Sequence, residues 1–448
     1  MYHFRYRIVV ITAVLLAGLF GCTTPSDTVA DPTPDSTEEP AVRHATLSEA
    51  DASPLPLLSS DNPDVEVQQQ VLEVLDTLAA KGFDVTKQGV WIQTNETLLA
   101  NVRGTQPFPA ASVTKIATTL AALRVFEVDR RFATEFKTTG TVENGVLEGD
   151  LVVVGDFDPM FVWEDAIEVG NVLHDLGIDR VSGDLIIAGN FYMNFEEDVA
   201  YSGELLQQGL NAKLWTLEAE TQYRTLPSDT PRPQVEIAGT VRVVSEPPAE
   251  TTLLVRHESV PVAELLKLMN RYSNNAIAHT FAKAMGGSEV VVREVLAATG
   301  VPADELQLIN GSGLGEENQI SPRTAVAMYL AINRELESEE MTVSDVVAIA
   351  GLDNGILLAR PLPRLATIKS GSLNGVSTIS GGLPTRDRGV VWFAMMNGGT
   401  DTETLRSTQE RLLQTLESQW GAVETPPKEL ATNDDRTEWQ SRNEVVAR

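Results

Sequence analysis

The sequence predicts an α/β (α+β) protein in which an antiparallel sheet flanked by helices is joined to a helical cluster and interrupted by an inserted β-rich domain. Three observations carry that expectation. Apolar residues recur at helical spacing in "VEVQQQVLEVLDTLAAKG" early in the chain, and again in "PVAELLKLMNRY", "NAIAHTFAKAMG", "SPRTAVAMYLAINREL" and "ETLRSTQERLLQTLESQW" late in it. Strand-like runs accompany the helices at both ends: "VWIQTNETLLANV" reads as an edge hairpin, and "LATIKSGSL" and "GVVWFAMMN" as strands. Between the two ends, residues 131–246 change to short β-like runs with Gly and Asp turns, such as "GTVENGVLEGDLVVVGDFDP", "RVSGDLIIAGNF" and "VEIAGTVRVV".

At 448 residues the chain is too long for one average domain, so two compact units with tails are expected. The composition, 42% hydrophobic and 22% charged, is that of a globular protein. Its 63 acidic against 34 basic residues give a formal charge of -29, which repels phosphate backbones and argues against nucleic acid as a partner. No metal-ligand cluster or cofactor motif stands out, and no cofactor is expected. No repeat of 20 to 50 residues is visible.

Taken in order, residues 1–22 read as an export signal. Arg5 and Arg7 precede an apolar stretch from Ile8 to Phe20, interrupted only by Thr12; thirteen residues rising about 1.5 Å each fall short of a hydrocarbon core of roughly 30 Å. The signal ends at Cys22, the only cysteine, which excludes an intramolecular disulfide. Residues 23–62, rich in Pro, Thr, Ser, Asp and Glu, have little to bury and are expected to remain an extended tether. Residues 63–130 and 247–422 are assigned to one discontinuous catalytic domain around the insert. The polar tail, 423–448, is expected to fray.

The chemistry gathers at three short stretches. In "PFPAASVTKIATTLAAL", Ser112 and Lys115 lie three apart on an apolar helix, so their side chains can meet. A serine hydroxyl is a weak nucleophile until a base takes its proton, and a lysine kept neutral by burial is such a base. Taken alone, Lys115 reads first as a snorkelling surface lysine. Its company changes the balance: "YSNN" supplies Ser273, Asn274 and Asn275 between two helices, and "IKSGS" supplies Lys369, Ser370, Gly371 and Ser372 in a strand. The ordered series S-x-x-K, S-x-N, K-[ST]-G is the signature of serine β-lactamases and penicillin-binding proteins. Ser60-Asp61-Asn62 spells a second S-x-N but precedes Ser112, and Ser372-Leu373-Asn374 lies inside the third motif. A rival frame, Y-x-N, would make Tyr272 the proton relay and Asn274 the inward amide.

The sequence around these motifs, "RHESVPVAELLKLMNRYSNNAIAHTFAKAMGG", "INGSGLGEENQISP" and "KSGSLNGVST", resembles the class C low-molecular-mass penicillin-binding proteins, the D-Ala-D-Ala carboxypeptidase/endopeptidase family. The resemblance runs from about residue 65 to 420. It departs from the family's pattern at Asn310, which stands for an acid, and at Gly315, which stands for a serine. It implies a β-lactamase/transpeptidase-like catalytic domain acting on peptidoglycan stem peptides and binding β-lactam antibiotics. By the same resemblance, Ser112 is the nucleophile, Lys115 its base and Ser273 the proton relay, while Asn275, Lys369, Ser370, Gly371 and Ser372 hold the substrate. Backbone N–H groups of Ser112 and Ser372 would form the oxyanion hole. "LFGC" resembles a bacterial lipobox with Phe20 where a small residue is usual, which implies a lipid on Cys22 and a periplasmic protein anchored to a membrane, the outer one of a two-membrane bacterium.

Three rivals follow from the same residues. A Ser/His/Asp hydrolase lacks a G-x-S-x-G elbow, and His174, His257 and His279 read as structural. A β-lactamase or esterase would need a deacylating base, for which "ELQLIN", Glu305 to Asn310, is one residue too long. A non-catalytic wall-binding lipoprotein of the same fold draws its support from the missing acid at 310.

Overall fold

The computed structural model describes residues 56–436 and 439–446; the signal, Cys22 and most of the tether lie outside the described residues. The catalytic half is built on a five-stranded antiparallel sheet whose spatial order is Thr367–Leu373, Val376–Thr385, Gly389–Gly398, Gln88–Gln93, Leu98–Val102. The hairpin expected near the N-terminus therefore closes one edge, and the strand carrying the third motif forms the other. Pairing is in register, with Lys369 opposite Ser380, Gly371 opposite Thr378 and Trp91 opposite Ala394.

Alternation along these strands feeds two cores. Trp91, Trp392, Ala394 and Met396 face one way, into the helical cluster with Ile116, Leu120, Met269 and Tyr329. Ile92, Val391, Phe393 and Met395 face the other way, against the helices Val65–Ala80 and Thr402–Trp420. Val67, Val71, Leu75 and Leu78 form the buried stripe of the first of these helices, and Asp64 starts it by accepting from the backbone N–H groups of Glu66 and Val67. Because helices cover both faces, the central strands are buried along nearly their whole length.

The insert has its own core, in which Phe136, Phe161, Trp163, Leu185 and Ile187 meet. Beside its strands it carries three helices, Trp163–Asp175, Val199–Gly209 and Leu217–Tyr223, which its short β-like runs did not announce. Its six-stranded sheet is mixed: Leu151–Asp156, Leu185–Asn190 and Val241–Val243 run parallel. That sheet continues past residue 246 into Thr252–Glu258, which pairs with Ala133–Thr138.

Two segments expected to be loose are ordered. The tail returns as a strand, Arg442–Val445, on the edge of Thr252–Glu258, where it satisfies backbone groups that a bare edge would leave unpaired. Asn443 Oδ1 also lies 2.9 Å from Nδ1 of the buried His257, and Ser441 donates to Asp165. At the other end, Leu58 packs on the helical core and Asn101 donates to the carbonyl of Ser60, so the last tether residues lie against the body. Ser60, Asp61 and Asn62 are accordingly remote from the second motif.

Candidate active site

The turn that carries Ser112 is wedged between three elements. Ser112 sits in a single 3-10 turn, Ala111–Val113, that leads into the helix Thr114–Val125, one step earlier than the helical position expected from sequence. The helix itself is buried from Thr114 to Ala122, which fixes Lys115 inside the protein at zero exposure. Ala110 holds the turn from both sides, donating to Asn318 O at 2.9 Å and accepting from Thr378 Oγ1 at 2.9 Å. Ala111 adopts a φ of 47°, a left-handed conformation unusual for a residue with a side chain, at a cost on the order of 1–3 kcal/mol. Directly against it, Gly313 has a φ of 84°, and a Cβ there would stand 1.8 Å from the Ala111 carbonyl oxygen, so only glycine fits.

The second motif lies at a helix junction. Ser273 ends the helix Val262–Tyr272 in the left-handed conformation, φ 56°, and Asn275 begins the helix Asn275–Ala284. The amide of Asn274 caps that second helix by accepting from Ile277 N. Asn274 is thus occupied with its own backbone, and the S-x-N frame, not Y-x-N, turns its side chains to the centre. The third motif forms the edge strand, with Lys369 and Ser370 buried and Ser372 exposed. Gly371 allows the strand to touch the turn, because a Cβ there would stand 2.6 Å from the Ser112 nitrogen.

These placements bring Ser112, Lys115, Ser273, Asn275, Lys369, Ser370, Gly371 and Ser372 to one centre. Lys115 Nζ lies 2.7 Å from Asn275 Oδ1, 2.8 Å from the Ser312 carbonyl and 3.1 Å from Ser112 Oγ. The first two are pure acceptors and the third is a hydroxyl. A neutral amine has two hydrogens and one lone pair: the hydrogens go to Asn275 and Ser312, which leaves the lone pair for the Ser112 O–H. Burial without a carboxylate partner lowers the Lys115 pKa from 10.5 to about 7. Lys369 Nζ donates to Ser273 Oγ and to the Ser370 carbonyl, each at 2.9 Å. Its pKa is driven well below the usual lysine value, by burial first and then by the neighbouring Lys115 and Arg360.

Sequence reasoning missed several residues that shape the site. Asn275, expected to hold substrate, also orients Lys115. The loop bearing Ser312 is tied to the Ser112 turn by a small sheet of Leu306–Gln307, Gln319–Ile320 and Phe108–Pro109. Ser312 Oγ lies 2.7 Å from His279 Nε2, and His279 Nδ1 lies 2.9 Å from Glu197 Oε1, a carboxylate of the insert. This series looks like a Ser/His/Glu triad, but Ser312 is only 1% exposed and cannot meet a substrate. It braces the carbonyl that receives Lys115. His279 is structural in that sense, as expected, while His174 and His257 stand elsewhere, paired to Asp179 and Asn443.

Two doubts attached to the flanking residues are answered by their contacts. Asn310 Oδ1 accepts from the N–H groups of Ser312 and Gly313 and from Ser312 Oγ, so the amide does the acceptor work an acid would do in shaping this loop. Glu305 is buried under Ser321 and Arg323, where it is spent on an ion pair and cannot serve a bound acyl group.

The discontinuous sheet-and-helix body, with a serine-lysine pair, a serine-asparagine corner and a lysine on the facing edge strand, has the arrangement that the resemblance to the class C penicillin-binding proteins implied. The chain matches the D-Ala-D-Ala carboxypeptidase 3 (S13) family over residues 71–195 and 219–419, and it belongs to that family. It is 22% identical over 413 residues to the D-alanyl-D-alanine carboxypeptidase DacB of Haemophilus influenzae, covering 70% of this chain and 85% of the relative. It is 23% identical over 438 residues to a D-alanyl-D-alanine carboxypeptidase of an Actinomadura species, covering 75% of this chain and 81% of the relative. The fold is similar to penicillin binding protein 4 of Haemophilus influenzae, with a TM-score of 0.61 at 18% identity over 78% of this chain and 99% of the other. It is similar also to a predatory peptidoglycan endopeptidase of Bdellovibrio bacteriovorus, with a TM-score of 0.60 at 20% identity over 79% of this chain and 98% of the other.

Proposed function

We propose that the protein is a serine-type D-Ala-D-Ala carboxypeptidase/endopeptidase that works through an acyl-enzyme on Ser112 and is trapped there by penicillin. The observation that carries this reading is the 3.1 Å approach of the buried Lys115 Nζ to Ser112 Oγ, with Asn275 Oδ1 and the Ser312 carbonyl as its other partners. Ser112 Oγ attacks the carbonyl carbon of the penultimate D-Ala as its proton passes to Lys115. The developing oxyanion meets the backbone N–H groups of Ser112 and Ser372, an interaction type often worth about 10²–10³ in rate. Ser273, held by Lys369, relays a proton to the leaving nitrogen; the C–N bond breaks and the amine departs. Water then attacks the ester, restoring Ser112 and releasing the acid.

The carboxylate beside the scissile bond is received by Lys369, Ser370 and Ser372, hydrogen-bond donors that let a protein of net charge -29 bind an anion locally. The N-terminal signal, Cys22 and the polar tether support an exported, lipid-anchored protein of the periplasm, facing the wall from the outer membrane.

The test is intact-mass measurement after incubation with benzylpenicillin, beside Ser112→Ala. A single acyl adduct absent from the variant is expected. No adduct with the drug unchanged would refute the reading in favour of a wall-binding protein, and no adduct with the drug hydrolysed would refute it in favour of a β-lactamase.

A further inference from the structure

The inserted domain buries a titratable cluster that the chemistry at Ser112 does not use. His257, 1% exposed on the strand Thr252–Glu258, has an acceptor beside each ring nitrogen: Asn443 Oδ1 lies 2.9 Å from Nδ1, and Asp158 Oδ2 and Asp165 Oδ1 each lie 3.7 Å from Nε2. Nε2 and Asp158 Oδ2 are both buried without a hydrogen-bond partner. A neutral imidazole carries one N–H and cannot serve acceptors on both sides. One further proton, on Nε2 or on Asp158 Oδ2, turns this opposition of lone pairs into an attraction and supplies both orphaned atoms. The carboxylates are otherwise fixed: Asp158 Oδ1 accepts from Met160 N, and Asp165 accepts from Val162 N and Ser441 Oγ.

The charges around the ring come from separate elements. Asp158 follows the strand Leu151–Asp156, and Asp165 and Glu168 stand on the helix Trp163–Asp175. On the ring's own strand, Arg256 pairs with Glu135, and Glu258 with Arg442 of the tail. Burial first, with Asp165 adding to it against the pull of His257, raises Asp158 from 3.8 to about 7. The C-terminal strand leans on this cluster. Within Arg442–Val445 only Asn443 is not exposed, and it meets His257, while Ser441 just before it meets Asp165. Its other contacts include four-residue backbone pairing and the ion pair of a largely exposed Arg442, which hold a strand weakly.

We propose that the C-terminal strand is a proton-dependent latch, closed on the inserted domain by the one proton that His257 shares with Asp158 and released when that proton leaves. Asp158 is raised on folding, so the stability it lends is complete below pH 3.8 and is lost as pH rises through about 7. The latch therefore holds in mildly acidic solution and loosens in mildly alkaline solution. Release bares the edge of Thr252–Glu258 to another strand. The latch requires nothing of the chemistry at Ser112.

The test is hydrogen exchange of the full-length chain between about pH 6 and about pH 8.5, read as protection of residues 440–446 relative to unstructured exchange, with the strand Val376–Thr385 as internal control. Wild type should lose about tenfold or more of that protection toward the alkaline end while the control strand keeps its own. Asp158→Asn keeps an acceptor for Met160 N and turns an N–H to Nε2, so it should hold the strand across the whole range. Asn443→Asp, on the tail itself, offers His257 acceptor oxygens alone and should fall more steeply than wild type. Should Asp158→Asn lose the control strand's protection as well, the slope of Asn443→Asp decides. Level protection in wild type, the same fall in a folded Asp158→Asn, or a fall in Asn443→Asp no steeper than in wild type overturns the latch.

Discussion

Replacing Lys115 by methionine keeps the length of the side chain and removes its titration, which turns the buried base into a measurable stability term. Burial brings the Lys115 pKa from 10.5 to about 7. At about 1.4 kcal/mol per pH unit, the folded protein disfavours the ammonium by about 5 kcal/mol. In the window between pH 7 and 10.5 the unfolded chain holds a proton on Lys115 that the folded chain does not, so wild-type stability must rise with pH there. Methionine has no such proton. Wild type should therefore gain about 2–3 kcal/mol on Lys115→Met between pH 7.5 and 9.5, whatever the fixed cost of leaving Asn275 Oδ1 and the Ser312 carbonyl without their donor, about 1–3 kcal/mol each. Urea unfolding of both proteins across that range measures the difference, and benzylpenicillin acylation of wild type gives a second readout. Acylation should fall about tenfold per pH unit below about pH 7, where the lone pair is protonated, and be lost in the variant. Parallel stability curves, or an acylation limb near pH 10, would refute the neutral-base argument.

Other outcomes follow from the same contacts. Gly371→Ala should slow acylation by about 10² or more while leaving the fold in place, since its Cβ would press on the Ser112 nitrogen at 2.6 Å; acylation and circular dichroism measured together decide it. His279→Ala should lower kcat with KM little changed, because it loosens the Ser312 carbonyl on Lys115 and touches no substrate, and Glu197→Gln should do the same more weakly. Deleting residues 439–448 should lower stability by about 1–3 kcal/mol, read by thermal unfolding, because it uncovers the edge of Thr252–Glu258 and His257. Benzylpenicillin acylation of the folded fraction should persist in that deletion, as the strand lies on the insert's sheet.

The sequence by itself determined the parts whose cause is local. Helical stripes such as Val67, Val71, Leu75 and Leu78 announce their own burial, and the unbroken apolar run in "GVVWFAMMN" announces a strand with two covered faces. The order of Ser112-x-x-Lys115, Ser273-x-Asn275 and Lys369-Ser370-Gly371 was legible because each motif needs only a few neighbouring residues at fixed spacing. What the tertiary structure alone decided depends on partners distant in the chain. The choice of Asn275 over Asn274 turns on a cap bond to Ile277 N. The lowered pKa of Lys115 turns on burial by surrounding helices, and the position of its amine on two acceptors, 160 and 197 residues away. Glu197, His279 and Ser312 carry no motif, and they meet only because the insert, the helix Asn275–Ala284 and the Ser312 loop converge. The tail reads as polar and loose, yet it is ordered, because the edge of Thr252–Glu258 offers backbone groups that no local pattern in the tail itself records.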